Sequence, residues 1–86
     1  MDTLLLHSPA QLPAHLKSLR KTRGLTQAQL AKRLGIGQSR LADIERHPET
    51  VSTAQLLELF AELGVEVRLR LKPTPHLIEN RPRGEW

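Results

Sequence analysis

The chain has 86 residues, no cysteine, one phenylalanine, one tryptophan and a formal net charge of +4. That length admits one domain with a modest core, which pairing with a second copy would reinforce. Without cysteine there are no disulfides and no common structural zinc sites; His7, His15, His47 and His76 are scattered without ligand spacing, the longest apolar run is too short to span a membrane, and no signal peptide precedes the domain, so a cytoplasmic protein is expected.

Residues 1–7 carry Leu4, Leu5 and Leu6 and read as a small strand or as an apolar arm that packs on the body or on a second subunit. Ser8 and Pro9 open a helix as N-cap and first helical residue, with Gln11 at the capping-box position. Leu12, Leu16 and Leu19 form its inward stripe, Pro13 sits near the first turn where a missing N–H does limited harm, and Gly24 ends it. Arg20 follows the stripe by one position and is expected to be partly buried.

Residues 26–45 read as two short helices joined by a tight turn. Thr26 and Gln29 form a capping box, with Leu25 and Leu30 as the hydrophobic staple. Leu30, Ala31 and Leu34 share one face, and Gly35 ends the helix where a left-handed residue is wanted. Gly37 opens the second helix. Its inward face is Leu41 and Ile44, and its outer face is Gln38, Ser39, Arg40 and Asp43, residue types that read base edges. Ala31 is small where the two helices would cross.

Pro48 sets the course of the next loop. Val51 and Leu56 staple a further helix from about Thr53 to Leu63, capped by Ser52 and Gln55; Leu56, Leu59, Phe60 and Leu63 face the core, Leu57 lies at the edge, and Gly64 closes it. The period then changes. Val65, Val67, Leu69 and Leu71 alternate with Glu66, Arg68 and Arg70, which predicts a strand with one buried face. A lone strand leaves its backbone unpaired, so it is expected to pair with the same strand of a second copy, or else with residues 4–6. Residues 72–86 show no periodicity and read as a flexible tail ending in Trp86, either an exposed end or an anchor for another protein.

Lys17, Arg20, Lys21, Arg23, Lys32, Arg33, Arg40 and Arg46 stand against only Asp43 and Glu45 between residues 17 and 46, a net +6 that suits a phosphate backbone. A solvated basic face and an ordinary helical hairpin would be the plain explanation. Such a hairpin needs neither a glycine turn nor a small crossing residue, and here both coincide with the basic polar helix. Residues 26–45 resemble the helix-turn-helix of the Cro/C1 (XRE) family of DNA-binding proteins: the small residue, Gly35, and Ile36, Leu41 and Ile44 as buried positions fall at the family's spacing. In that family an arginine of helix one pairs with a glutamate of the recognition helix, and Arg20 and Glu45 stand at the matching positions, which implies a bidentate ion pair.

A narrower resemblance covers nearly the whole chain. The SPAQL helix start, GLTQAQLAKRLGI, the Pro48 loop, the alternating strand and the terminal Glu85 and Trp86 are similar to the HipB-like antitoxins. The resemblance implies a mainly α protein. Residues 1–71 form a four-helix XRE-type helix-turn-helix domain, in which a C-terminal β-strand, 65–71, pairs across a homodimer, and 72–86 form the tail. It also implies binding to double-stranded operator DNA of its own operon and neutralisation of a HipA-type kinase toxin. The alternatives are a plain XRE repressor or the antitoxin of a ribonuclease. No nucleophile–base pair, metal cluster or glycine-rich phosphate loop is present, so neither enzyme activity nor a cofactor is expected.

Base contacts are expected from Gln38, Ser39 and Arg40, with Arg40 suited to guanine and Gln38 to adenine; Asp43 would accept from cytosine or orient Arg40. Thr26 and Gln27 begin a helix whose free N–H groups suit a phosphate, and Lys32, Arg33 and Arg46 are secondary phosphate candidates.

Overall fold

Glycine turns and side-chain caps divide the chain into four helices, and the computed structural model describes them within residues 3–73. Helix α1 spans Leu12–Thr22, α2 Gln27–Leu34, α3 Gln38–Arg46 and α4 Thr53–Glu62, with single 3₁₀ turns at Pro9–Gln11 and Pro48–Thr50. The first turn, expected to be α-helical from Pro9, is instead 3₁₀: the Gln11 amide donates to the Ser8 carbonyl at 3.1 Å, and the Gln11 side chain accepts from the His7 amide at 2.6 Å. Two prolines within five residues remove amide donors there, so the tighter turn is the one that closes.

The caps of α2 and α4 are reciprocal. Thr26 Oγ1 accepts from the Gln29 amide at 3.0 Å while Gln29 Oε1 accepts from the Thr26 amide at 2.9 Å; Ser52 and Gln55 repeat the pattern at 3.1 and 3.2 Å. Gly35 ends α2 at φ +73°, a conformation that costs any residue with a Cβ.

Helix α2 packs against α3 and α4, and α1 packs against α3. Leu16, Leu30, Leu41 and Leu63 are fully buried at the centre, with Leu12, Ala31, Ile44 and Leu59 completing the core. Ala31 is only 2% exposed, which agrees with its place where α2 and α3 approach. Ile36, read as buried, is half-buried at the rim with Leu34, Val51, Leu56 and Phe60.

The single chain does not form the strand expected at 65–71. Val65 stays against the core, but residues 65–73 carry no regular secondary structure; Val67 is 51%, Leu69 97% and Leu71 92% exposed. The alternation is present, yet a strand exists only where a second backbone supplies the ladder. Residues 4–6 do not supply it: the Leu5 carbonyl faces His15 Nε2 at 2.9 Å, which lays the arm on α1. Trp86 and most of the tail lie outside the described residues.

Candidate nucleic-acid interface

The interface is built on the pair α2 and α3. With the Thr26 hydroxyl spent on Gln29, the amides of Gln27 and Ala28 remain the unpaired donors at the start of α2. Gln27 borders a concavity of about 600 Å³ lined also by Lys17, Arg20, Lys21, Gly24, Leu25, Thr26 and Gln38. The concavity joins the end of α1 to the first residues of α2 and α3. Lys17 and Lys21, four apart on α1, bring two ammonium groups to the positive end of α2, an arrangement that favours an anion. They stood out in sequence only as part of a basic run; their i, i+4 spacing is the signal that would have placed them together.

On α3, Gln38, Ser39, Arg40 and Asp43 are exposed while Leu41 and Ile44 point inward. Gln38 lies on the side of the concavity, whereas Arg40 borders a smaller hollow of about 150 Å³ between α3 and α4. Asp43 does not orient Arg40: its carboxylate accepts from Arg46 Nη2 at 2.7 Å, one turn along the same helix. Lys32 and Arg33 occupy the last turn of α2, at the far end from the concavity, where they complement the helix dipole.

Behind this surface lies one buried polar cluster. Arg20 and Glu45 are 7% and 6% exposed. Arg20 Nε donates to Glu45 Oε2 at 2.7 Å, Nη2 to Oε1 at 3.3 Å and Nη1 to the Leu25 carbonyl at 2.9 Å. Gln27 Nε2 adds a bond to Glu45 Oε1 at 3.1 Å, a partner that the sequence reading missed. The Gln27 side chain therefore braces the cluster, and it is the backbone amide that remains available to a phosphate. One guanidinium thus ties α1 to the end of α3 and to the turn before α2.

A helix-turn-helix family profile matches residues 16–69. The chain belongs to the Cro/C1-type helix-turn-helix family. Antitoxin HipB of Escherichia coli O6:H1 (strain CFT073) is 31% identical over 64 residues, which cover 74% of this chain and 68% of that protein. Among solved structures, one described as a HipB–O1–O2 complex aligns with a TM-score of 0.69 at 28% identity, over 79% of this chain and 99% of the other. A chain of a HipA–HipB–O2–O3 complex aligns with a TM-score of 0.68 at 28% identity, over 79% and 96%. In helix-turn-helix terms α3 is the recognition helix and α2 the helix that positions it. Among the described residues, no group of three or more histidine, cysteine or acidic side chains is placed to hold a metal, and no helix is long and apolar enough to cross a membrane.

Proposed function

We propose that this chain is a sequence-specific DNA-binding antitoxin that represses its own operon and neutralises a HipA-type kinase. The observation that carries the reading is the alignment with a chain of the HipA–HipB–O2–O3 complex over 79% of this protein and 96% of that one. That match covers more of the chain than residues 16–69, the part shared with the family at large.

Within that function the surface divides by chemistry. Arg40 suits bidentate donation to guanine O6 and N7, and Gln38 suits adenine; Ser39 contacts either, and Asp43 accepts from a cytosine amine when Arg46 releases it. The Gln27 and Ala28 amides, with Thr26 and the flanking Lys17 and Lys21, hold a phosphate and fix register; Lys32, Arg33 and Arg46 serve at the periphery. The exposed Val67, Leu69 and Leu71 pair residues 65–71 with a second copy, placing two recognition helices about 34 Å apart in successive major grooves. The protein acts in the cytoplasm by binding, without catalysis or cofactor.

The test uses the full chain, duplex DNA from upstream of its own reading frame, and the kinase encoded beside it. The expected result is a gel shift at the upstream duplex that weakens steeply with salt, as phosphate neutralisation requires, together with inhibition of the kinase. Equal affinity for upstream and random duplexes defeats the repressor reading, and an unaffected kinase defeats the antitoxin reading.

A further inference from the structure

The C-terminal end of α4 is closed twice. In its own backbone the Gly64 amide donates to the Ala61 carbonyl at 3.0 Å and the Val65 amide to the Phe60 carbonyl at 2.8 Å, with Gly64 at φ +69°, which is a Schellman ending. The next carbonyls, of Leu63 and Gly64, lie beyond any helix amide. Both accept from one side chain: Arg23 Nε donates to Leu63 O at 2.7 Å and Nη2 to Gly64 O at 3.0 Å. The guanidinium lies so close over Gly64 that a Cβ there would come within 2.9 Å of Nη2 and 3.3 Å of Cζ. It also sets a positive charge at the negative end of α4.

Arg23 is the C-cap of α1, with its own amide held by the Leu19 and Arg20 carbonyls at 3.1 Å. Three residues back on the same turn, Arg20 holds Glu45 of the recognition helix. The last turn of α1 therefore grips two things at once: the helix that enters DNA, and the point from which residues 65–71 depart. Past Val65, among the described residues, the segment makes no further hydrogen bond to the body; Arg68 bonds only to its neighbour Glu66, at 3.1 Å.

We propose that Arg23 is a positioning residue for two-site DNA binding: its clamp on Leu63 and Gly64 sets the direction in which 65–71 leaves the DNA-reading body, and so the separation of the recognition helices in the pair. The inference rests on the dimeric reading above. Direction matters at this joint because each base pair between half-sites shifts the second one by about 3.4 Å and rotates it by roughly a tenth of a turn. A small swing of the segment thus changes which spacing fits.

The experiment measures binding of the full chain to duplexes carrying two half-sites, selected from random DNA with the wild-type protein, whose separation is varied by one and two base pairs either way. Wild type is expected to show one sharp optimum. Arg23→Met keeps the length of the side chain but removes both donors. It should lose about tenfold in affinity at that optimum, the worth of a charged hydrogen bond, while neighbouring spacings gain on it and binding to a single half-site is unchanged. Arg23→Lys, with the charge but no fork, should fall between the two. Far-UV circular dichroism and sedimentation confirm that the variants are folded and paired. A wild-type optimum that Arg23→Met retains in full, or an equal loss at every spacing and on the single half-site, overturns the proposal alone. A wild-type protein with no spacing optimum overturns the dimeric reading and the proposal with it.

Discussion

Arg20 and Glu45, 25 positions apart in the chain, meet in a buried two-point contact, with Nε to Oε2 at 2.7 Å and Nη2 to Oε1 at 3.3 Å. The contact orients α3 from behind, so the face that carries Gln38, Ser39 and Arg40 is held in place by a side chain that is itself buried. Every buried side-chain polar atom among the described residues has a partner, and this pair with Gln27 forms the buried part of that network.

The first prediction concerns that pair. Arg20→Met leaves the Glu45 carboxylate buried with one donor, Gln27, and should cost about 3–5 kcal/mol, a large share of what holds a domain of this size together. Arg20→Met combined with Glu45→Leu should cost clearly less than the sum of the two single changes, because no charge is left stranded. Urea denaturation of the three variants measures the coupling directly; additive losses would show that the two residues do not act as a pair.

The turn between α2 and α3 permits a cleaner comparison. Gly35 and Gly37 both have open space where a Cβ would stand, with no atom within 4 Å, but only Gly35 has a positive φ, +73°. Gly35→Ala should therefore cost about 1–2 kcal/mol through backbone conformation alone. Gly37, at φ −76°, is the N-cap of α3. Gly37→Ser should stay within about 0.5 kcal/mol of wild type or gain slightly, since serine is a better cap than glycine. Thermal melts of the two variants should separate in these directions, and equal losses would remove the conformational explanation.

What could be read ahead of the structure follows from the range of each interaction. The Thr26/Gln29 and Ser52/Gln55 boxes and the Gly35 turn involve residues three to five apart, so their chemistry is written locally. Arg20 and Glu45 are joined across three helices, and no spacing rule connects them; only the family resemblance placed them together. The Arg23 clamp was invisible for a further reason: its acceptors are the carbonyls of Leu63 and Gly64, about 40 residues away, and a backbone carbonyl carries no side-chain signature. The alternation from Val65 to Leu71 was legible, and so was its need for a second backbone; the single chain leaves Val67, Leu69 and Leu71 largely in water.

At the recognition helix, Arg40 is exposed and its side chain makes no hydrogen bond among the described residues. Arg40→Ala should therefore leave folding unchanged and remove discrimination at one base-pair position, by about 1–3 kcal/mol. Binding to a selected duplex and to its single-base variants is the measurement. A uniform loss on all sequences would reassign Arg40 to phosphate.

The last prediction separates folding from pairing. In the single chain Leu69 is 97% and Val67 51% exposed, so Leu69 has almost no packing to lose within its own body and Val67 has some. A lysine at Leu69 should leave helical content and the folding of the isolated domain as they are. If residues 65–71 join two copies as proposed, the same residue becomes buried, and a two-fold axis counts every substitution twice. Burying a leucine side chain is worth about 1.5–3 kcal/mol, so Leu69→Lys should raise the dimer dissociation constant by at least about a hundredfold. Val67→Lys should act in the same sense and less strongly, since part of its surface is already covered. Sedimentation equilibrium across a concentration series reads both constants. A wild-type protein that stays monomeric at high micromolar concentration would show that residues 65–71 do not join two copies. A Leu69→Lys variant that pairs as tightly as wild type would place the joint on another surface.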